Sequence, residues 1–197
     1  MFTGIIETTG IVKEVIITGK NRSFWIETPL SREFKVDQSV SHSGVCLTVE
    51  EIKGPTYRVT AIDETLQKTN LSYWNTGTII NIERCLPVNG RFDGHFVQGH
   101  VDATGTCIKR TEKDGSWEFV IEFPEKFAEL IIEKGSICVN GISLTAFNAG
   151  VNRFTVAIIP YTFEHTNIKD VQPGDSINLE FDMLGKYINR KISLPAV

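Results

Sequence analysis

The sequence predicts a mainly β protein assembled from two small antiparallel barrels in tandem. Three observations carry this. The chain repeats itself once at a nearly constant offset. Each copy is a run of short β-branched segments separated by Gly, Pro, Asn and Asp, the mark of small all-β architectures. Helical signals are few: one inside each copy, one at 124–135 and one near the C-terminus.

The repeat fixes the elements in order. TGIIETTGIV (3–12) lines up with QGHVDATGTC (98–107) at an offset of 95, and Gly4, Thr9 and Gly10 recur as Gly99, Thr104 and Gly105. SVSHSGVCLTV (39–49) matches SICVNGISLTA (136–146) at 97, and the same offset aligns 57–71 with 154–168 and GTIINIE (77–83) with GDSINLE (174–180). A period of about 95 residues is a duplicated domain, since solenoid repeats are shorter. The two extra residues of the second copy fall between 107 and 136, most simply in the polar loop TEKDGS (111–116). Helix starts are marked by Asp63 before ETLQKTNL and Pro160 before YTFEHTNI, and PEKFAELIIEKG (124–135) reads as a short helix opened by Pro and closed by Gly. The Pro- and Gly-bearing stretch LPVNGRFDG supplies the boundary. This gives barrels over 1–91 and 92–181 and a helical tail over 182–197, with Leu184, Ile188 and Ile192 on one face awaiting a partner surface.

Composition narrows the function. Hydrophobic residues make up 41% and charged residues 22%, enough for a packed core, and the net charge is −4 without a basic block. That excludes a nucleic-acid groove or a polybasic membrane patch. MFTGIIETTG lacks the basic and apolar regions of a secretory leader, and no apolar run approaches the ~18 residues of a membrane span. The four cysteines, 46, 85, 107 and 138, form no CxxC pair, which suits reduced thiols in a cytoplasmic protein.

Two histidines lie in GHFVQGHVD (94–102). His95 and His100 are five apart, a spacing that puts them on opposite faces of a strand and off a common helical face, so one shared metal ion is not expected. His100 aligns with Ile5, hence the duplicated scaffold itself does not need it. The copies also differ at Cys46 against Ser143, His42 against Val139 and Ser41 against Cys138. Where a fold is kept and only polar chemistry changes, the changed residues are site candidates.

MFTGIIETTG, SGVCLTV, GHFVQGHVD, KGSICVNGISLT and IPYTFEHTN closely resemble the riboflavin synthases of two-barrel type, in the right order over nearly the whole chain. The resemblance implies two six-stranded Greek-key barrels per chain, a homotrimer held partly by the C-terminal helix, and active sites between the N-terminal barrel of one subunit and the C-terminal barrel of a neighbour. It implies a dismutation in which a four-carbon unit passes between two 6,7-dimethyl-8-ribityllumazine molecules, giving riboflavin and a ribitylamino-pyrimidinedione. It implies no cofactor and no metal, and an association with lumazine synthase. The absence of a P-loop, a Rossmann glycine motif or a metal-ligand cluster agrees.

Carried over residue by residue, the resemblance implies His100 as acid–base group, imidazole being the side chain suited to that work near neutrality. Cys46 and Ser39 would activate or position a nucleophile. Met1-Phe2-Thr3-Gly4 would form an ordered N-terminus with the Phe2 ring close to substrate. Substrate contacts are expected from Gly4, Ile5 and Ile6, from Cys46, Leu47 and Thr48, and from Thr60, Ala61, Ile62, Asp63, Glu64 and Thr65. Their counterparts are Gly99, His100 and Val101, then Ser143, Leu144 and Thr145, then Ala157, Ile158, Ile159, Pro160, Tyr161 and Thr162. Lys134 and Asp182 match positions near the site or the subunit junction.

Plainer readings stand beside these. Cys46 suits a strand core, Lys134 a helix C-terminus, Asp182 the cap of the last helix, and Thr48 with Thr145 a shared strand. Ser43, where the family often has Asn, is expected to alter a hydrogen bond near a pocket. The rival functions are a lumazine- or flavin-binding chromophore carrier of the same fold, the flavin-binding barrel of a reductase, and a structural interaction module.

Overall fold

The computed structural model describes residues 1–194. The first copy contributes β1 (Thr8–Thr18), β2 (Asn21–Glu27), β3 (Ser39–His42), β4 (Val45–Thr48), β5 (Glu51–Lys53), β6 (Thr56–Ala61), α1 (Asp63–Lys68) and β7 (Ile79–Arg84). The second contributes β8 (Ala103–Lys113), β9 (Ser116–Glu122), β10 (Ser136–Val139), β11 (Ile142–Phe147), β12 (Arg153–Ile158), α2 (Pro160–His165) and β13 (Ser176–Phe181), with α3 (Met183–Ser193) following. Residues 195–197 of the expected tail lie outside the described residues.

Alternation builds the cores. Along β1 and β8 the same positions turn inward, Val12 in one and Cys107 in the other. Both strands carry a register slip just beyond that residue, at Val12/Glu14 and at Cys107/Lys109. A bulge bends its strand and increases twist, which lets a short sheet curl on itself. The second copy closes completely in the order β10-β11-β12-β9-β8-β13, with β13 pairing back on β10. The first runs β4-β3-β7-β1-β2-β6-β5. Its end strands β4 and β5, parted only by Val49 and Glu50, together flank the place that the single strand β11 fills in the second copy by pairing with both β10 and β12. Glu50 N–H still donates to the Arg58 carbonyl at 2.9 Å across that break. Phe24, Tyr57, Ile80 and Ile82 fill the first core, and Phe119, Phe154, Phe181 and Ile137 the second, all fully buried.

Two expectations are corrected. The extra residues of the second copy are not in the 111–116 loop, because both hairpins turn over two residues, with Thr18 facing Asn21 and Lys113 facing Ser116. An insertion there would slip the register and flip a whole strand. The extra length sits between β9 and β10, where a connection absorbs it at little cost. Within that connection the expected helix is a 3-10 turn over Glu125–Leu130. α1 also starts at Asp63 itself, which places its charge and that of Glu64 in the first turn, where the helix dipole favours acids.

The segments ahead of β1 and β8 cross between the copies. Phe2 and Val97, equivalent residues, bond to each other through both backbone pairs, at 2.7 and 3.2 Å. From this approximate two-fold point the first arm runs onto the second barrel, where Ser143 N–H donates to the Gly4 carbonyl at 2.8 Å. The second arm runs onto the first barrel, where Cys46 N–H donates to the Gly99 carbonyl at 2.9 Å. Behind the arms the seam is polar and doubled. Asn81 and Asn178 reach across to the carbonyls of Asn140 and Ser43, both at 2.9 Å. Asn167 and Asn70 donate their backbone N–H to the same two side chains, both at 2.7 Å. Gly44 and Gly141 meet so closely that a methyl on Gly44 would lie 2.8 Å from the Gly141 nitrogen. Ser43 belongs to this seam and not to a pocket. Its hydroxyl accepts the Asn81 N–H at 3.1 Å, as Asn140 Oδ1 accepts that of Asn178 at 2.9 Å, so the bond expected to change is kept.

α3 is capped by Asp182, whose carboxylate accepts the Leu184 N–H at 2.9 Å. Asn189 ties it to Glu129 at 3.2 Å, and Leu184, Ile188 and Ile192 remain exposed.

Candidate functional site

Each barrel carries a cavity beside equivalent residues. The first, about 240 Å³, is walled by Val45, Cys46, Glu64, Thr65, Lys68 and Thr69 and by the arm residues Gly99, His100 and Val101. The second, about 490 Å³, is walled by Lys134, Ser143, Leu144, Thr145, Phe147, Ala157, Ile159 and Thr162. Cys46/Ser143 and Thr65/Thr162 are the shared pairs. A larger open groove of about 870 Å³ follows the seam past Asn70, Trp74 and Asn167 and contains none of the residues expected at a site.

The crossing arms rearrange the expected grouping. Gly99, His100 and Val101 were assigned to the second copy, yet they stand against Cys46, and Val101 packs on the first core. Gly4, Ile5 and Ile6 were assigned to the first copy, yet Gly4 bonds to Ser143 and Ile6 packs on the second core. Strand alternation sorts the run 60–65. Ala61 is fully buried and Ile158 nearly so, both turned into the cores, so they offer a mouth only backbone atoms, whereas Ile62, Ala157 and Ile159 face outward. Asp63 pairs with Lys20 at 3.6 Å and Glu64 with Lys68 at 2.7 Å. Pro160 opens α2, and Tyr161 stacks on His165 at 4.1 Å between ring centroids. Leu47 is buried in the first core, and Thr48 and Thr145 are exposed at equivalent strand positions.

Phe2 is fully buried. It packs with Val97, Cys138, Cys46 and Cys85 on the two-fold point, and a side chain at Gly99 would meet its ring at 3.0 Å. The ring therefore supports the arm that walls the first cavity from behind. Burial pushes the Cys46 thiol up, with a hydrogen bond from Ser39 pulling it back in part. Cys46 is accordingly a thiol rather than a poised thiolate. Ser39 pairs with Thr48 in the ladder, and its carbonyl accepts Cys85 Sγ at 3.5 Å.

His100 presents an exposed ring at the first cavity, and its backbone N–H donates to Glu180 at 2.8 Å. His95 serves the other barrel: its Nδ1 lies 2.6 Å from Ser143 Oγ. Burial lowers the His95 pKa and the Asp182 charge works against that, so Asp182 both caps α3 and acts on this pair. A neutral imidazole on a pocket hydroxyl is a potential base. Lys134 holds a left-handed backbone (φ 62°) on the second cavity wall, its ammonium 5.1 Å from the Phe147 ring centroid.

Sequence reasoning passed over Glu83 and Glu180, buried at the ends of β7 and β13. Each accepts a fan of N–H groups from an arm. The signal was present: NIE (81–83) recurs as NLE (178–180), a polar–apolar–acidic triplet inside otherwise apolar strands.

Fold and site together define a duplicated barrel protein with a cavity beside equivalent residues of each copy. A family model described as the lumazine binding domain matches residues 3–85 and again 98–182. The riboflavin synthase of Actinobacillus pleuropneumoniae is 37% identical over 96% of this chain and 89% of its own. That of Mycobacterium bovis is 39% identical over 96% of this chain and 97% of its own. Among solved structures, LumP complexed with riboflavin superposes with a TM-score of 0.86 at 22% identity, covering 92% of this chain and 99% of that one. LumP complexed with 6,7-dimethyl-8-(1'-D-ribityl) lumazine gives 0.84 at 21%. The chain belongs to the riboflavin synthase family of tandem lumazine-binding proteins.

Proposed function

We propose that the protein is itself a riboflavin synthase, a transferase that converts two molecules of 6,7-dimethyl-8-ribityllumazine into riboflavin and 5-amino-6-ribitylamino-pyrimidinedione. The observation that carries the reading is the pair of equivalent cavities with unequal polar groups, Cys46 and His100 at one, Ser143, His95 and Lys134 at the other. Two copies of one pocket hold two copies of one substrate, which removes much of the entropic barrier to a bimolecular step. The chemistry needs a base for the donor 7-methyl proton, an acid for ring opening and a nucleophile at C7 of the acceptor. His100 is assigned acid–base work, and Cys46 and Ser39 position the nucleophile. Because one substrate donates and the other accepts, the reaction requires no redox cofactor or metal.

The two mouths belong to different barrels, so a site that apposes them is assigned to the junction of one subunit's first barrel and a neighbour's second, in a homotrimer. The exposed stripe of Leu184, Ile188 and Ile192 supports an oligomer contact through α3. The reading also takes 1–91, 92–181 and 182–197 as the working units, a cytoplasmic location and an association with lumazine synthase. Among the described residues no helix is long and apolar enough to cross a membrane.

The second reading, a chromophore carrier, is favoured by the structural likeness to LumP. Sequence identity points the other way, at 34–39% to the synthases against 21–22% to LumP. Incubation with 6,7-dimethyl-8-ribityllumazine alone, with chelator present, decides between them. Riboflavin at half the molar amount of substrate consumed is expected; tight binding without conversion would establish the carrier.

A further inference from the structure

We infer that Glu83 and Glu180 are positioning residues that act across the seam, each holding the wall of the pocket in the opposite barrel. The inference rests on the two-ligand reading above and specifies how its pockets are shaped. Glu180 belongs to the second barrel, yet its carboxylate accepts the N–H groups of Gln98, Gly99 and His100 at 2.6, 2.9 and 2.8 Å. Gly99 and His100 wall the Cys46 cavity in the first barrel, where the Gly99 carbonyl takes the Cys46 N–H. Glu83 belongs to the first barrel and accepts Thr3 N–H at 2.7 Å, Thr3 hydroxyl at 3.0 Å and Gly4 N–H at 3.0 Å. The Gly4 carbonyl in turn takes the Ser143 N–H on the second cavity.

The carboxylates are suited to this task. An ionised carboxylate is acceptor-only, so its two oxygens can collect successive backbone donors and hold a strand arm at one register. An amide would turn an NH₂ toward those donors. Burial nevertheless opposes the charge, pushing Glu83 to about 7 against the hydrogen bonds from Thr3 and Gly4, and raising Glu180 as well. The strand ladders of each barrel are complete without the arms, so what the arm contacts add is the shape of the cavity mouth and the placement of His100.

The test uses the full-length chain with riboflavin as probe and follows alkylation of Cys46 by peptide mass spectrometry. Wild type is expected to bind riboflavin in both barrels, with one class of site protecting Cys46. Glu180→Gln should weaken that class about tenfold or more and expose Cys46, while the other class is kept; Glu83→Gln should do the reverse. Glu180→Asp, which keeps the charge and shortens the reach, is the milder variant with the same expected direction. If Glu180→Gln weakened only the site in its own barrel and left Cys46 protected, or left both sites unchanged, the cross-seam role would be overturned. Wild type that takes up no riboflavin would overturn the proposed function and this inference together.

Discussion

The first and second barrels share strand order, bulge positions and seam, yet equivalent positions around them carry different chemistry. Asp37 and Lys134 occupy one equivalent position, both with left-handed backbone (φ 74° and 62°) and both donating N–H across to Val49 or Ala146 at 2.8 Å. One is an acid and the other a base. Near it the first barrel has Glu50, held by Arg58 at 3.1 Å and Thr60 at 3.0 Å, where the second has Phe147 and Ala157. The cores differ too. His42 Nε2 meets the Tyr57 hydroxyl at 2.8 Å in the first, and Val139 and Phe154 stand at those places in the second. The duplicated backbone supplies two equivalently placed pockets, and side chains the backbone does not require make them unequal. A reaction using one compound in two roles needs that inequality.

The largest expected effect comes from removing the residue only the first pocket has. His100→Ala should lower turnover by about 10²- to 10⁴-fold with little change in lumazine binding, the range for loss of a general acid–base group. Steady-state kinetics beside a binding titration read it, and unchanged turnover would remove the assignment.

Next is the core contrast. Burial lowers the His42 pKa to about 4, so the folded state holds this imidazole neutral. The stability this gives is present above the ordinary value of 6.5 and is lost as pH falls toward 4, by about 3 kcal/mol in all. Glu83, raised to about 7, works with the opposite sign: its contribution weakens as pH rises from 4.5 through 7. Giving the first barrel the second's pair, His42→Val with Tyr57→Phe, leaves Glu83 untouched. Denaturation curves at pH 7 and pH 4.5 should then show a flatter acid limb than wild type; an equal acid loss would contradict the burial argument.

A smaller effect is expected at the mouths. Lys134→Asp puts the first barrel's residue at the equivalent position, removes the cation from the second cavity wall and should weaken ligand binding there by about tenfold, near 1.4 kcal/mol, with Cys46 protection unaffected. The smallest is at the seam. Ser43→Asn copies Asn140 into a left-handed position (φ 46°) that Asn tolerates better than Ser, and a rise in Tm of a few degrees is expected.

The barrels were legible because their information is local and doubled: alternating apolar residues, turn glycines, and a repeat that reports the same strands twice. The cavities were legible as residue sets, and Cys46, Thr65, His100, Lys134, Ser143 and Thr162 do line them. The pairing of those sets was not. The arms meet the opposite barrels through backbone bonds such as Gly4 to Ser143, which leave no pattern to read, and the one trace of their anchoring is the repeated NIE and NLE triplet. The packing of Phe2 on the two-fold point was not legible for the same reason, since an apolar residue near a terminus looks alike whether it meets ligand or packs on a neighbour. The extra residues before β10 were assigned by polarity, whereas hairpin register decided where length could be added.

A working site is proposed to join the first barrel of one chain to the second barrel of another. It is tested most directly by mixing two inactive variants, His100→Ala and Lys134→Asp with Ser143→Ala, co-expressed so that their chains assemble together. The first removes the acid–base group of one pocket, and the second impairs binding in the other. Hybrids should recover roughly a quarter of wild-type activity, the share of junctions that receive both intact pockets in random assembly. A mixture as inactive as its components, in oligomers shown by mass to contain both chains, would place the whole site within one chain and contradict it.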